Sequence, residues 1–356
     1  MIFAILVAFF SLITLVTLHE FGHFFLAKKF GVPVEEFGIG FPPRVFSKKI
    51  GETVYSLNLL PLGAFVKIYG EEGGIEDSLS FTKKPIWQRA LIILGGVISF
   101  WIISIIILSI ISAVWGLPAA ISDEETLGII DPKVQILEVL PNSPAKEAGI
   151  LAFDIILKLK NSGLTILPTK IKEVQEFIQQ HKGQEIKVSV LRGKEEKEIE
   201  VVPAQDGKIG VGLIRTGFKT TPWYLSLITG TRATAQITSD ILKALVEILK
   251  RVMSGKKVEG LELRGPVGIG ELMARSFEIG IVYFLYFISL ISIYLAIFNL
   301  LPIPAVDGGR LLFLGIEKLR GRPIAPKIEQ KINTAFFILL IALLIFVTVQ
   351  DIIRLF

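Results

Sequence analysis

Only three histidines occur in the 356 residues, and two of them, His19 and His23, stand four apart with Glu20 beside the first. In a helix, positions i and i+4 lie on one face, one above the other, so two imidazoles at this spacing can bind a single zinc ion. A carboxylate next to the first imidazole can serve as general base toward water at that ion. The sequence has no cysteine, which excludes thiolate ligands and disulfides. His19-Glu20-Phe21-Gly22-His23 closes the apolar run Met1–Leu18. Imidazole and carboxylate groups at membrane depth are costly and functional by default. The plain alternative is a helix end whose polar groups meet the lipid headgroups.

A catalytic zinc generally has three protein ligands and one open position. The remaining histidine, His181, follows Gln179-Gln180 in a charged stretch, where it reads as a solvated helix end. A carboxylate is therefore sought, and Asp307 is the strongest candidate. It lies in Asn299-Leu300-Leu301-Pro302-Ile303-Pro304-Ala305-Val306-Asp307-Gly308-Gly309. Two prolines and two glycines break an apolar run there, and irregular backbone at membrane depth is tolerated only in protein or beside a wet cavity. Such a carboxylate is better explained by a cation than by packing. The bland reading is that the prolines end a helix and Asp307 is a loop residue.

The elements that must position these residues are membrane helices. Half the residues are hydrophobic (51%) and the mean hydropathy is +0.62. About 18 or more consecutive apolar residues cross a ~30 Å hydrocarbon core as a helix. Met1–Leu18, Leu91–Trp115 and Ile281–Leu301 meet this length, and Ala335–Val349 reaches it only with Asp351–Phe356 added. Nothing basic precedes the first run, so it reads as a retained span and not as a cleaved signal peptide. Between the second and third runs, Pro118 to Phe277 has ordinary soluble composition. The loop from Lys28 to Arg89 and the loop from Arg310 to Lys331 are rich in Lys and Arg. By the positive-inside rule both face the cytoplasm, which places the soluble stretch and both termini outside. The net charge of +5 is thereby explained by membrane flanks, with no support for nucleic-acid binding.

Within the soluble stretch, Val134–Val139 and Asp154–Leu159 read as strands and Lys172–Gln180 as a helix. Gln184–Leu191 and Glu196–Val202 read as a hairpin around Arg192-Gly193. Trp223–Met253 reads as an amphipathic helix with Ile241, Leu245, Ile248 and Val252 on one face. It either lies at the outer membrane interface or packs on the soluble domain.

His-Glu-x-x-His together with Asn299-x-x-Pro302-x-Pro304-x-x-Asp307-Gly308 resembles the site-2 protease family, in its bacterial regulator-of-sigma-E protease branch with a single PDZ domain. Phe37-Gly38-Ile39-Gly40-Phe41 and Pro61–Lys67 resemble that family's membrane-associated β-hairpin region, and Gly265-Pro266-Val267-Gly268-Ile269 resembles its lead into the third span. Ser143-Pro144-Ala145-Lys146-Glu147-Ala148-Gly149 followed by Asp154 resembles a bacterial PDZ domain, with Ala152-Phe153-Asp154 in place of the usual Pro-Gly-Asp. Ser99 stands where the family often has Asn in its second span.

The resemblance implies a polytopic α-helical membrane protein with about four transmembrane helices, a membrane-associated β-hairpin region and one inserted α+β PDZ domain. Residues 1–117 would hold the first two spans and the β region, and 118–215 the extracytoplasmic PDZ domain. Residues 216–276 would form the interfacial helix and linker, and 277–356 the last two spans. It further implies a zinc-dependent intramembrane endopeptidase of the bacterial inner membrane, with its active site toward the cytoplasm. His19, His23 and Asp307 would be ligands, Glu20 the base, and Asn299 a contact to substrate backbone or oxyanion. Gly63, Ala64, Phe65 and Val66 would bind an unwound substrate as an added strand. Substrates would be single-span proteins in the lipid bilayer, such as membrane-tethered anti-sigma factors or signal-peptide remnants, already cut once outside. The PDZ domain would either take a peptide C-terminus or act as a steric filter. Two rival readings remain: a membrane scaffold with a structural metal, and a metal transporter using the same three ligands.

Overall fold

A computed structural model describes residues 2–71, 73, 75–192, 195–255 and 264–355. In chain order it begins with α1 (Ile2–Lys29), β1 (Val34–Ile50), β2 (Thr53–Ile68) and α2 (Ile86–Val114). There follow β3 (Leu117–Ala120), β4 (Ile129–Val139), α3 (Pro144–Glu147), β5 (Ile155–Asn161), β6 (Leu164–Ile166) and α4 (Ile171–Gln180). Next are β7 (Ile186–Arg192), β8 (Glu195–Val201), β9 (Val211–Lys219) and α5 (Ser226–Met253). The chain closes with α6 (Pro266–Ile279), α7 (Ile281–Leu300), α8 (Asp307–Arg320) and α9 (Pro326–Leu355). Contacts group residues Met1–Leu108 with Gly230–Phe356 as one compact unit and Ser109–Thr229 as another.

Four helices are long and apolar enough to cross a membrane: 3–29, 86–114, 281–300 and 326–353. The last differs from its apolar run. α9 extends Ala335–Val349 back to Pro326, through Lys327, Glu329 and Lys331, because proline suits a helix start and lysine and glutamate are good helix formers. In the first unit, Ala8 and Leu15 of α1, Val97 and Phe100 of α2, Met273 of α6 and Phe284 of α7 form one buried cluster.

β1 and β2 form an antiparallel pair that folds across itself. Residues 37–39 of β1 pair with Tyr55–Leu57 on one side and with Ala64–Val66 on the other. The segment Ala64–Val66 is thus an edge strand. The outer half of the hairpin exposes Val45, Phe46, Leu57, Leu59 and Leu60 alongside Arg44, Lys48 and Lys49. Contiguous exposed apolar side chains mark a surface that meets lipid or a partner.

The second unit carries a seven-stranded sheet of order β3-β9-β4-β5-β7-β8, with β6 on β5. Val134, Ile136, Leu159, Val188 and Val190 pack under Val174, Phe177 and Ile178 of α4. β7 and β8 pair in register from Ile186↔Val201 to Arg192↔Glu195, and Gly193 of the expected turn lies outside the described residues. β9 continues to Lys219 because β3 pairs with its last four residues. Asp154, 1% exposed, accepts from Arg192 Nε and Nη2 at 2.8 and 2.7 Å and from Leu151 N at 3.0 Å. Burial alone would raise its pKa, but the Arg192 guanidinium and the Leu151 N–H hold it below the usual carboxylate range. Phe153 just before it has φ 71° and an exposed side chain, a conformation that the usual glycine adopts without strain.

Candidate metal centre

α1 forms because its residues are predominantly apolar and free of proline over 28 positions. His19 and His23 fall on its inward face with Leu15 and Ala27, all four buried. Opposite them, α2 comes unusually close. A Cβ at Gly22 would stand 2.2 Å from the Gly95 carbonyl oxygen, and one at Gly95 would stand 2.6 Å from the Gly22 oxygen. The two backbones can meet only because both residues lack side chains, the small-residue contact typical of membrane helix pairs. A Cβ at Gly96 would lie 2.3 Å from His23 Nε2 and 2.5 Å from His19 Cε1, so both imidazoles rest against the α2 backbone. His23 Nδ1 donates to the Ile92 carbonyl at 3.0 Å, which leaves Nε2 as the lone-pair nitrogen. The His19 ring stacks on Phe100 with centroids 4.6 Å apart, and its Nδ1 is buried with no hydrogen-bond partner.

Asp307 reaches the same point from the far end of the sequence. α7 ends at Leu300 ahead of Pro302, and the chain turns sharply before α8 starts at Asp307 itself. Gly308 and Gly309 make that return path feasible. Their added Cβ atoms would stand 2.0 Å from the Leu301 oxygen and 2.4 Å from the Ile303 oxygen. The Asp-Gly-Gly sequence is therefore a packing requirement of the turn as much as a ligand motif.

His19 Nε2 and His23 Nε2 are 3.2 Å apart, and Asp307 Oδ2 is 3.3 Å from the first and 3.4 Å from the second. Donors held ~2.0–2.1 Å from a tetrahedral zinc lie about 3.3–3.4 Å from one another, so the three atoms match one face of that tetrahedron. Asp307 Oδ2 is buried without a hydrogen-bond partner, as expected of an oxygen that serves a cation. Two imidazole nitrogens and a carboxylate oxygen form a borderline donor set that suits zinc. This is the metal-capable cluster found among the described residues.

Glu20 follows His19 on α1 and is half-buried, about 100° round the helix from it. Asn299 sits in the last turn of α7, where its Nδ2 donates to the Leu295 carbonyl at 2.9 Å. Gly63, Ala64, Phe65 and Val66 lie at the edge of the β1–β2 sheet, with Gly63 close to Val16 of α1. His181 stands in the second unit, its Nδ1 2.8 Å from the Phe177 carbonyl, at the end of α4. Ser99 donates to the Gly96 carbonyl at 2.6 Å. Sequence reasoning did not single out Gly22, Gly95, Gly96 or the Ile92 carbonyl for the site. A glycine pair facing another glycine across two apolar runs is the signal that could have done so. It also missed the ion pairs of Arg310 with Glu71 and of Arg89 with Glu317, which tie α8 to the end of β2 and to α2.

The sequence matches the family model described as peptidase family M50 over residues 7–343. It is 32% identical over 354 residues, 98% of each chain, to a Clostridium perfringens protein whose name assigns it to the zinc metalloproteases. The regulator of sigma-W protease RasP of Bacillus subtilis is 30% identical, with 96% of each chain covered. The zinc metalloprotease RasP of Oceanobacillus iheyensis is 28% identical over 96% of this chain and 97% of its own.

Proposed function

The chain belongs to peptidase family M50, the site-2 protease family, and is a zinc metalloprotease; on that premise we propose that it cleaves peptide bonds within the membrane, with His19, His23 and Asp307 as zinc ligands and Glu20 as general base. The convergence of three donor atoms at 3.2–3.4 Å, from helices nearly 290 residues apart in sequence, carries this reading. Membership of a peptidase family leaves no role for the scaffold and transporter readings. Bound zinc supplies Lewis acidity, polarising a carbonyl and making water acidic enough to lose a proton near neutral pH. Glu20 takes that proton and delivers it to the leaving amine. Asn299 holds the substrate backbone or the developing oxyanion, which requires its Nδ2 to leave the Leu295 carbonyl.

A peptide bond in an intact helix is shielded by its own hydrogen bonds, so the substrate must unwind. The edge strand Gly63–Val66 offers backbone groups to which the unwound segment adds as a strand. Single-span proteins are the substrate class, with membrane-tethered anti-sigma factors and signal-peptide remnants as members, cut first outside the membrane. The name of the relative that regulates sigma-W supports the anti-sigma class. Residues 118–215 act as a PDZ domain outside the membrane, and 216–276 hold an interfacial helix and linker. The fold of strands around α4 and the Ser143-capped turn support the PDZ assignment. As a steric filter or a peptide binder, that domain admits substrates whose outer part has been removed.

The test is Glu20→Gln in cells that make a tethered single-span substrate. Cleavage should fall by at least about a hundredfold, the scale of a lost general base, with zinc still bound. Retained cleavage would remove Glu20 from the mechanism.

A further inference from the structure

Among the described residues, Ala305 is one of four non-glycine residues with positive φ, at 76°, and it lies two residues before Asp307. Ile303-Pro304-Ala305-Val306 forms a turn in which Val306 N reaches the Ile303 carbonyl at 3.4 Å. Proline at the second position and positive φ at the third are the marks of a type II turn, whose third position favours glycine or asparagine. Alanine there stores strain, and such strain persists only where the surroundings hold it. The turn's own hydrogen bond is long, so it holds weakly. A further restraint, on Ala305 itself, comes from another helix: Ala305 N donates to Asn333 Oδ1 at 3.2 Å in an exposed contact. Asn333, half-buried, stands two turns into α9, a helix that is exposed over most of its length.

We propose that Asn333 is a positioning residue that holds the Pro304–Val306 turn from α9 and so sets the place of Asp307 in the zinc site. The proposal rests on Asp307 being a ligand. Gly308 and Gly309 let the far side of the turn pack closely against the Leu301 and Ile303 carbonyls. Asn333 supplies the restraint on the near side. With both in place the carboxylate oxygen is fixed relative to the two imidazoles before the metal arrives. Without Asn333 the Ala305 backbone relaxes toward negative φ and swings the start of α8. Groups that hold ligands in place typically contribute 10–100-fold in metal affinity.

The experiment measures zinc affinity of the purified full-length protein in detergent by competition with a chromogenic chelator. Asn333→Leu should weaken zinc about tenfold, while Asn333→Asp, which keeps the acceptor oxygen, should stay within about threefold of wild type. Ala305→Gly removes the strain, so it should bind zinc as wild type does and restore most of the affinity lost in Asn333→Leu. Wild-type affinity in Asn333→Leu overturns the proposal, as does failure of Ala305→Gly to restore it. Should Asn333→Leu not fold, Asn333→Ser decides in its place: a shorter acceptor that misses Ala305 N should show the same loss and the same rescue. Asp307→Ala separates the two levels of inference. If it binds zinc normally, the ligand assignment fails. If it loses zinc while Asn333→Leu does not, only the positioning role fails.

Discussion

At the scale of single residues, the proposed zinc site depends on what α2 lacks as much as on what α1 and α8 carry. Gly96 leaves room for two imidazoles, and any larger residue enters the space of His23 Nε2 and His19 Cε1. Gly96→Ala should therefore weaken zinc binding at least about tenfold, the scale of a disturbed ligand support. Gly315→Ala is the matched control, since nothing lies within 4 Å of its added Cβ and alanine favours the helix. Equal zinc affinity in both variants would show that the imidazoles have slack. The three residues that converge, His19, His23 and Asp307, were legible from sequence, because the i, i+4 spacing and the proline-broken run are chemical statements. The support was not. A glycine in an apolar run fits too many uses, and the positive φ of Ala305 leaves no trace in the residue type.

At the scale of elements, α9 is held by polar contacts near both ends. Asn333 engages the metal-ligand turn, and Asp351, 3% exposed, accepts from Gly268 N at 2.7 Å in the first turn of α6. Gly265 and Gly268 leave space for that carboxylate, since their Cβ atoms would stand 2.9 and 3.0 Å from its oxygens. The N–H groups at a helix start need an acceptor, and in a low-dielectric setting water does not substitute. α6 in turn packs on α1 through Met273 beside Ala8 and Leu15, and through the Phe277 and Phe3 rings. Asp351→Leu should cost about 1–3 kcal/mol by orphaning the Gly268 N–H, read as a lower thermal midpoint in detergent. Asp351→Asn keeps an acceptor and should lose less. Equal midpoints for wild type and Asp351→Leu would show the contact to be idle. Gly265-Pro266-Val267-Gly268 was visible in sequence as a lead into a span, but its partner 83 residues on was not. One aspartate near the end of an apolar run looks the same whether it caps a helix or meets headgroups.

At the scale of the whole molecule, the sequence divides its charge by location, and that division predicts which face of the membrane each part meets. Lys28, Lys29, Arg44, Lys48 and Lys49 precede α2, and Arg310, Lys318, Arg320, Lys327 and Lys331 lie between α7 and the apolar part of α9. By the positive-inside rule short basic loops stay in the cytoplasm, so the proposed topology has α1 and α2 carry residues 118–215 outside. On the same proposal His19 and His23, near the basic end of α1, lie toward the cytoplasmic side. The chain has no cysteine, so one introduced thiol reports its own side without background. In intact cells an impermeant maleimide should label K146C, in the first turn after Ser143, and spare K318C, in the last turn of α8. Permeabilising the inner membrane should bring K318C to the same labelling. Lys146 and Lys318 are both exposed, so slow reaction of K318C before permeabilisation cannot come from burial in the fold. Labelling of K318C but not K146C in intact cells would invert the topology. It would place Glu20 and the zinc ligands toward the outer face, where a cut could not release a substrate's inner domain into the cytoplasm.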